Sequence, residues 1–128
     1  MPRKFDEKEI IYEENDEVPE MYFITSGTVG VGFMTLEKEF QDVKHFRQNT
    51  YINAYNVCSN IKCDFRYQSL MKTKTYALKK AFLSKLFDKY PKIAGQIKQD
   101  QMLRHKLVIK EPIWKEKEKY AASIKDPQ

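Results

Sequence analysis

Apolar and polar positions change their period once along this chain, close to residue 78. Before that point they come in short runs of strand type. Ile10, Ile11 and Tyr12 are β-prone and end in Glu13, Glu14, Asn15, Asp16 and Glu17, a cluster too polar to bury and therefore a surface turn. Met21, Tyr22, Phe23 and Ile24 predict the next strand, which stops at Ser26 and Gly27. Glycine there supplies the positive φ of a tight hairpin, and residues 28–34 return as a strand rich in β-branched side chains. After a polar turn at residues 36–39, Val43, Lys44, His45 and Phe46 alternate as a half-buried strand does. Two further strands are expected at residues 65–70 and 73–78.

From Leu78 the spacing becomes helical. Leu78, Phe82, Leu86 and Tyr90 recur in fours with Phe87 beside them, until Tyr90-Pro91 interrupts the run. Pro91 suits the first turn of a second helix, where its missing N–H costs nothing, and Ile93, Ile97, Leu103 and Leu107 give that helix a broken apolar stripe. Pro112 is expected to stop it. The pattern therefore predicts a single domain over residues 1–110, with strands over 5–78, a first helix over 79–90 and a second over 91–109. Residues 111–128 read as a solvated helix or tail. Both periods point Tyr22, Ile24, Val29, Val31, Phe46, Leu78, Phe82 and Leu86 inward as the core. Strands followed by helices make the fold class α+β or a small β-barrel.

Composition narrows the function classes. At 128 residues with 41% apolar and 13% aromatic side chains, the chain has the makeup of one globular domain. It contains no apolar run long enough to span a membrane and no signal-peptide pattern at its start, so a cytoplasmic location is expected, on its own or as the cytosolic part of a longer membrane protein. Charge is segregated: residues 1–42 hold 4 Lys/Arg against 11 Asp/Glu, and residues 43–128 hold 19 against 7. A basic half can attract nucleic acid or anionic lipid, but it is more often the wet face of Lys-rich helices, the reading preferred here. Cys58 and Cys63 have no partner pair at metal-ligand spacing and read as ordinary reduced thiols. His45 and His105 are too few for a cupin-type metal site, and no nucleophile elbow, zinc-protease motif, P-loop or Rossmann glycine pattern occurs. The chain does not read as an enzyme, and no metal or certain cofactor is implied.

The order of elements over residues 5–31 closely resembles the opening of the cyclic nucleotide-binding domain family: strand, acidic turn, Glu20-Met21-Tyr22-Phe23-Ile24, then Ser26-Gly27 and a second strand. Leu86-Phe87-Asp88-Lys89-Tyr90-Pro91 looks like the end of the family's B helix, and Lys92-Ile93-Ala94-Gly95-Gln96-Ile97 looks like its C helix, so the resemblance covers about residues 5–107. It implies an antiparallel, jelly-roll-like β-roll followed by C-terminal helices. It also implies a phosphate-binding cassette, in which a Glu holds the ribose 2′-hydroxyl and an Arg the cyclic phosphate, with backbone N–H groups cradling the anion. The matching run here, residues 51–65, sets Asn53 at the family's glycine, Ala54 at its glutamate and Cys63 at its arginine. The candidate ligand positions are Tyr51, Asn53, Ala54, Tyr55, Asn56, Cys63, Asp64 and Arg66.

With both signature side chains missing, a loss of about 2 to 5 kcal/mol in binding follows, and cAMP or cGMP is expected to bind near millimolar or not at all. Two ways of filling the space follow. Arg66 or Lys62 can stand in as the cation, or Tyr55 and residues of the second helix can cover the roll as a lid. The function implied is a regulatory module, the cytosolic gating domain of a potassium or cyclic nucleotide-gated type of ion channel, because Tyr90-Pro91 and the stretch from Lys110 to Trp114 look like channel domains. Its partners would be a channel membrane domain and identical subunits in a tetramer. The alternatives are a working cAMP or cGMP sensor with a substitute cation, and a basic nucleic-acid-binding protein. The last is disfavoured, since only about twenty residues follow Leu107, too few for a helix-turn-helix.

Overall fold

A computed structural model describes residues 1–125. Its strands are β1 (Pro2–Phe5), β2 (Ile10–Tyr12), β3 (Glu20–Ser26), β4 (Thr28–Met34), β5 (Phe40–Arg47), β6 (Tyr51–Ile52), β7 (Arg66–Ser69) and β8 (Thr73–Lys79). They form two antiparallel four-stranded sheets, in the orders β1-β8-β3-β6 and β2-β7-β4-β5. A short helix, α1 (Ala54–Ser59), interrupts the roll between β6 and β7. The core lies between the sheets, where alternation sends every second side chain inward. Ile24, Val29, Val31 and Tyr67 are fully enclosed, and Tyr22 and Phe46 are buried, as the strand pattern predicts.

Gly27 turns the β3–β4 hairpin with φ +99°, and a Cβ there would come within 2.6 Å of the Lys72 carbonyl oxygen. Glycine is therefore required by both conformation and space. Two strands have no sequence signal. β1 is a polar edge strand, where Pro2 is tolerated, and β6 is only two residues long.

The helices depart from the expected core. In α2 (Lys80–Lys89), Phe82 is 54% exposed and Leu86 39%, while Leu83 and Phe87 are half-buried. The helical period holds but its phase is shifted by one. Leu78, itself half-buried, still belongs to β8, so counting in fours from it begins before the helix does.

Pro91 opens α3 (Pro91–Arg104) as its spacing predicts. Pro112, however, does not stop the chain's helical course. A π-helical segment (His105–Lys110) follows α3 directly and leads into α4 (Glu111–Lys125), with Pro112 its second residue. The Glu111 N–H bonds the Lys106 carbonyl, five residues back, so the proline falls in the first turn after the ladder has changed its register, where a missing N–H is tolerated.

The π segment also decides which residues face the roll. Gln101, His105, Ile109 and Ile113 are spaced by four, and in a uniform α-helix each step of four would drift by about 40°. The wider π turn cancels that drift, so His105 and Ile109 are buried and Ile113 is fully enclosed. The expected stripe is instead turned outward: Ile93, Leu103 and Leu107 are each more than half exposed. The stretch 111–128 is helical as far as Lys125, yet not wholly solvated, because Ile113 enters the core and the Tyr120 hydroxyl accepts from the Leu36 N–H and donates to Glu37. Residues 126–128 of that stretch lie outside the described residues. No helix among the described residues is long and apolar enough to cross a membrane.

Candidate functional site

The cassette begins where β6 ends. Asn53 adopts φ +68°, ψ +14°, the left-handed conformation that asparagine tolerates better than most side chains and that a glycine takes without strain. Ala54 then starts α1. Buried Asn56 ties off the loop after the helix, its Nδ2 donating to the carbonyls of Ile61 at 3.3 Å and Lys62 at 3.2 Å.

Tyr51, Asn53, Ala54, Tyr55 and Asn56 line one cavity inside the roll, with a volume of about 20 Å³. That is room for roughly one water molecule. Two buried polar atoms in its lining, Asn53 Oδ1 and the Tyr67 hydroxyl, have no hydrogen-bond partner among the described residues.

The remaining sequence-predicted positions lie elsewhere. Cys63 is 1% exposed, and its Sγ donates to the Phe65 carbonyl at 2.9 Å. Burial pushes this thiol up to about 12, so it is uncharged at neutral pH, a small apolar group at the position that the resemblance sets at an arginine. Arg66 does not enter the cavity. It precedes Tyr67 on β7, and alternation that sends Tyr67 inward sends Arg66 out. There its Nε meets Glu13 Oε2 at 2.9 Å and its Nη1 donates to Gln68 Oε1 at 3.2 Å. The hydrogen bond from Arg66 holds the Glu13 carboxyl below its ordinary value. Lys62 is exposed and faces Glu17 at 3.8 Å. Neither residue serves as the substitute cation inside the roll, because each points away from the cavity toward an acidic partner in the turn after β2.

What reaches the cavity comes from the C-terminal helices. The His105 imidazole stacks on the Tyr55 ring, with centroids 4.5 Å apart and planes 24° from parallel, and its Nε2 lies 2.9 Å from Asp64 Oδ2. Gln101 Nε2 donates to the Tyr51 hydroxyl at 2.9 Å, and the Arg104 guanidinium lies 4.3 Å from the centre of the Tyr51 ring. Both aromatic platforms at the mouth of the roll thus carry a flat group supplied by the chain itself, and Asp64 anchors one of them. Gln101, Arg104 and His105 have no place in the cassette pattern. The spacing of four from Gln101 to Ile113 was the signal for Gln101 and His105, hidden because these first two members are polar, and Arg104 lies outside it.

With the C-terminal helices in this position the cavity leaves no room for a cyclic nucleotide. The cavity is about the size of a water molecule, Ala54 offers no acceptor for a ribose hydroxyl and Cys63 no charge for a phosphate.

Comparison with known proteins gives a consistent picture. The family model described as "Cyclic nucleotide-binding domain" matches residues 2–90. Among solved structures, an EAL enzyme in its cAMP-bound form superposes with a TM-score of 0.68 at 14% identity, covering 81% of this chain and 28% of that one. The catabolite activator protein of Thermus thermophilus gives 0.67 at 13% identity, over 82% of this chain and 49% of that one. The N-terminal domain of a transcriptional regulator from Streptomyces coelicolor A3(2) gives 0.64 at 13% identity, covering 82% and 72%. At such identities the likeness concerns the fold, and the chain spans less than half the length of the first two. No curated protein matches the chain.

Proposed function

Because this chain belongs to the cyclic nucleotide-binding domain family, we propose that it is a regulatory module whose cassette no longer holds a nucleotide and whose own C-terminal helix occupies the mouth of the roll instead. The observation that carries this reading is the cap: His105 on Tyr55, and Gln101 and Arg104 on Tyr51. A ligand moves such a helix only through its differential affinity for the open and closed states. Where side chains of the helix already fill the ligand's platforms, the roll–helix contacts themselves set that balance. No catalytic step is part of the proposal.

The attached part is proposed to be the gate of an ion channel of the potassium or cyclic nucleotide-gated type, in the cytoplasm and among identical subunits. Tyr90-Pro91 and the stretch from Lys110 to Trp114 support that choice by resemblance. A second reading, a cAMP or cGMP sensor with a substitute cation, has one observation in its favour: Arg104 lines the cavity, where Arg66 and Lys62 do not.

Titration calorimetry with cAMP and cGMP separates the two. The capped module gives dissociation constants near millimolar or no heat, whereas binding tighter than about 10 µM, roughly −7 kcal/mol, establishes the sensor. Two variants then locate the cause. Binding regained by A54E/C63R assigns the loss to the cassette, and binding regained by H105A assigns it to the cap.

A further inference from the structure

One end of the first sheet gathers positive charge in excess of the carboxylate beside it. Lys4 of β1 lies directly across from Lys74 of β8, and Lys74 lies across from Ser26 of β3, so two lysines and a hydroxyl-bearing residue share one cross-strand row. Lys72, at the turn entering β8, joins them at a cleft of about 290 Å³ that Phe5 and Asp6 also border. All three lysines are exposed, and none takes part in an ion pair among the described residues. Asp6 borders the same cleft, but three ammonium groups outweigh one carboxylate.

Like charges placed directly opposite in an antiparallel pair repel, so this row costs stability unless an anion lies between them. The turn that carries Lys72 is fixed in place. Gly27 packs too close to the Lys72 carbonyl for any side chain, and the Thr73 hydroxyl donates to the Met71 carbonyl at 2.9 Å while accepting from Ser69 at 2.8 Å. The cations are therefore presented on a rigid edge. Ammonium groups are point-charge phosphate binders, and three of them around a cleft near the lower size of a small-molecule pocket suit several phosphates on one ring better than a single phosphate.

We propose that this cleft, apart from the roll cavity and independent of whether the roll is capped, binds a ligand with two or more phosphate groups on a sugar-sized ring. An inositol polyphosphate has that chemistry, free or as a lipid headgroup. The full chain is titrated with inositol 1,4,5-trisphosphate and, at matched ionic strength, with inorganic phosphate, in about 0.15 M salt. The trisphosphate is expected to bind at least tenfold more tightly than phosphate, and K74Q or K72Q to lose about tenfold. K4Q is expected to lose a similar factor while raising the melting temperature of the free protein, because it removes one of the opposed charges. K92Q/K115Q, on the helices, is expected to leave binding unchanged.

The proposal is overturned if the trisphosphate binds no better than phosphate, if K92Q/K115Q weakens binding as much as K74Q, or if K4Q lowers the melting temperature. Cosedimentation with vesicles containing phosphatidylinositol 4,5-bisphosphate, against vesicles of phosphatidylserine alone, identifies the source. Capture by the former only, competed by free trisphosphate, supports a lipid headgroup, and trisphosphate binding without capture supports the soluble compound.

Discussion

Phe46 and Phe82 have the same side chain to hide from water, and the fold treats them oppositely: Phe46 in β5 is 6% exposed and Phe82 in α2 is 54% exposed. The difference is in how each region fixes the direction of a side chain. Val29 of β4 is paired with Phe46 on one side and with Ser69 of β7 on the other, so alternation is enforced by two ladders at once and a slip of one residue would turn every neighbour inside out. A helix lying on the roll has no such ladder. Its phase is set by whichever few side chains find a place below, and in the C-terminal arm these are His105, Ile109 and Ile113 rather than the more frequent apolar residues of the opposite face.

Five substitutions or conditions sharpen that contrast, taken from the largest expected effect. Phe46→Ala is expected to destabilise by about 3 to 5 kcal/mol in urea unfolding, as a large ring is removed from an enclosed site. Ile113→Ala should cost about 2 to 4 kcal/mol and speed hydrogen exchange in α4 before the strands. If exchange quickens uniformly instead, the arm is no separate unit. His105→Ala leaves Asp64 without its partner and should cost about 1 to 3 kcal/mol, with faster exchange over α3.

Acidification acts on the roll through two of its carboxyls. Burial works to raise Glu20, but hydrogen bonds from Arg3 and Tyr22 outweigh it, so Glu20 and Glu13 both lie below the ordinary 4.5 in the folded protein. The stability they contribute is present above that value and is lost as pH falls through their lowered folded values. The urea midpoint should therefore hold steady near neutrality and drop in acid, and E13Q/E20Q should flatten the drop. Phe82→Ala, last, should change stability by less than about 1 kcal/mol. A loss as large as that of Phe46→Ala would place Phe82 in the core after all.

The sequence carried most of the roll because alternation and turn chemistry act locally: the acidic turn after Tyr12, the hairpin at Gly27 and the strand through Phe46 are each specified by neighbours in sequence. The cassette was legible as a pattern with two members replaced, and Asn53, set at its glycine by that pattern, holds a left-handed backbone. What could not be read was decided at a distance. Arg66 looks like a free cation until alternation on β7 and Glu13, 53 residues away, are known. Polar His105 gave no hydrophobic signal, and its burial depends on Asp64 and Tyr55, supplied by a different part of the chain. Pro112 signals a stop in an α-helical ladder, and the π turn before it, which changes that ladder, has no local signal.

That pitch change makes the arm behave like a gear with one extra tooth. Residues upstream of His105 and downstream of Lys110 each keep ordinary helical geometry, and only the segment between them sets their relative rotation. Winding the same six residues at α pitch would turn everything beyond them by about 100°. Ile113 and Tyr120 would swing away from the roll while His105 stayed over Tyr55. The one wide turn thus meshes the cap at the roll's mouth with the contacts of α4 on the far strands, and a change that tightened it to α pitch would disengage one end from the other.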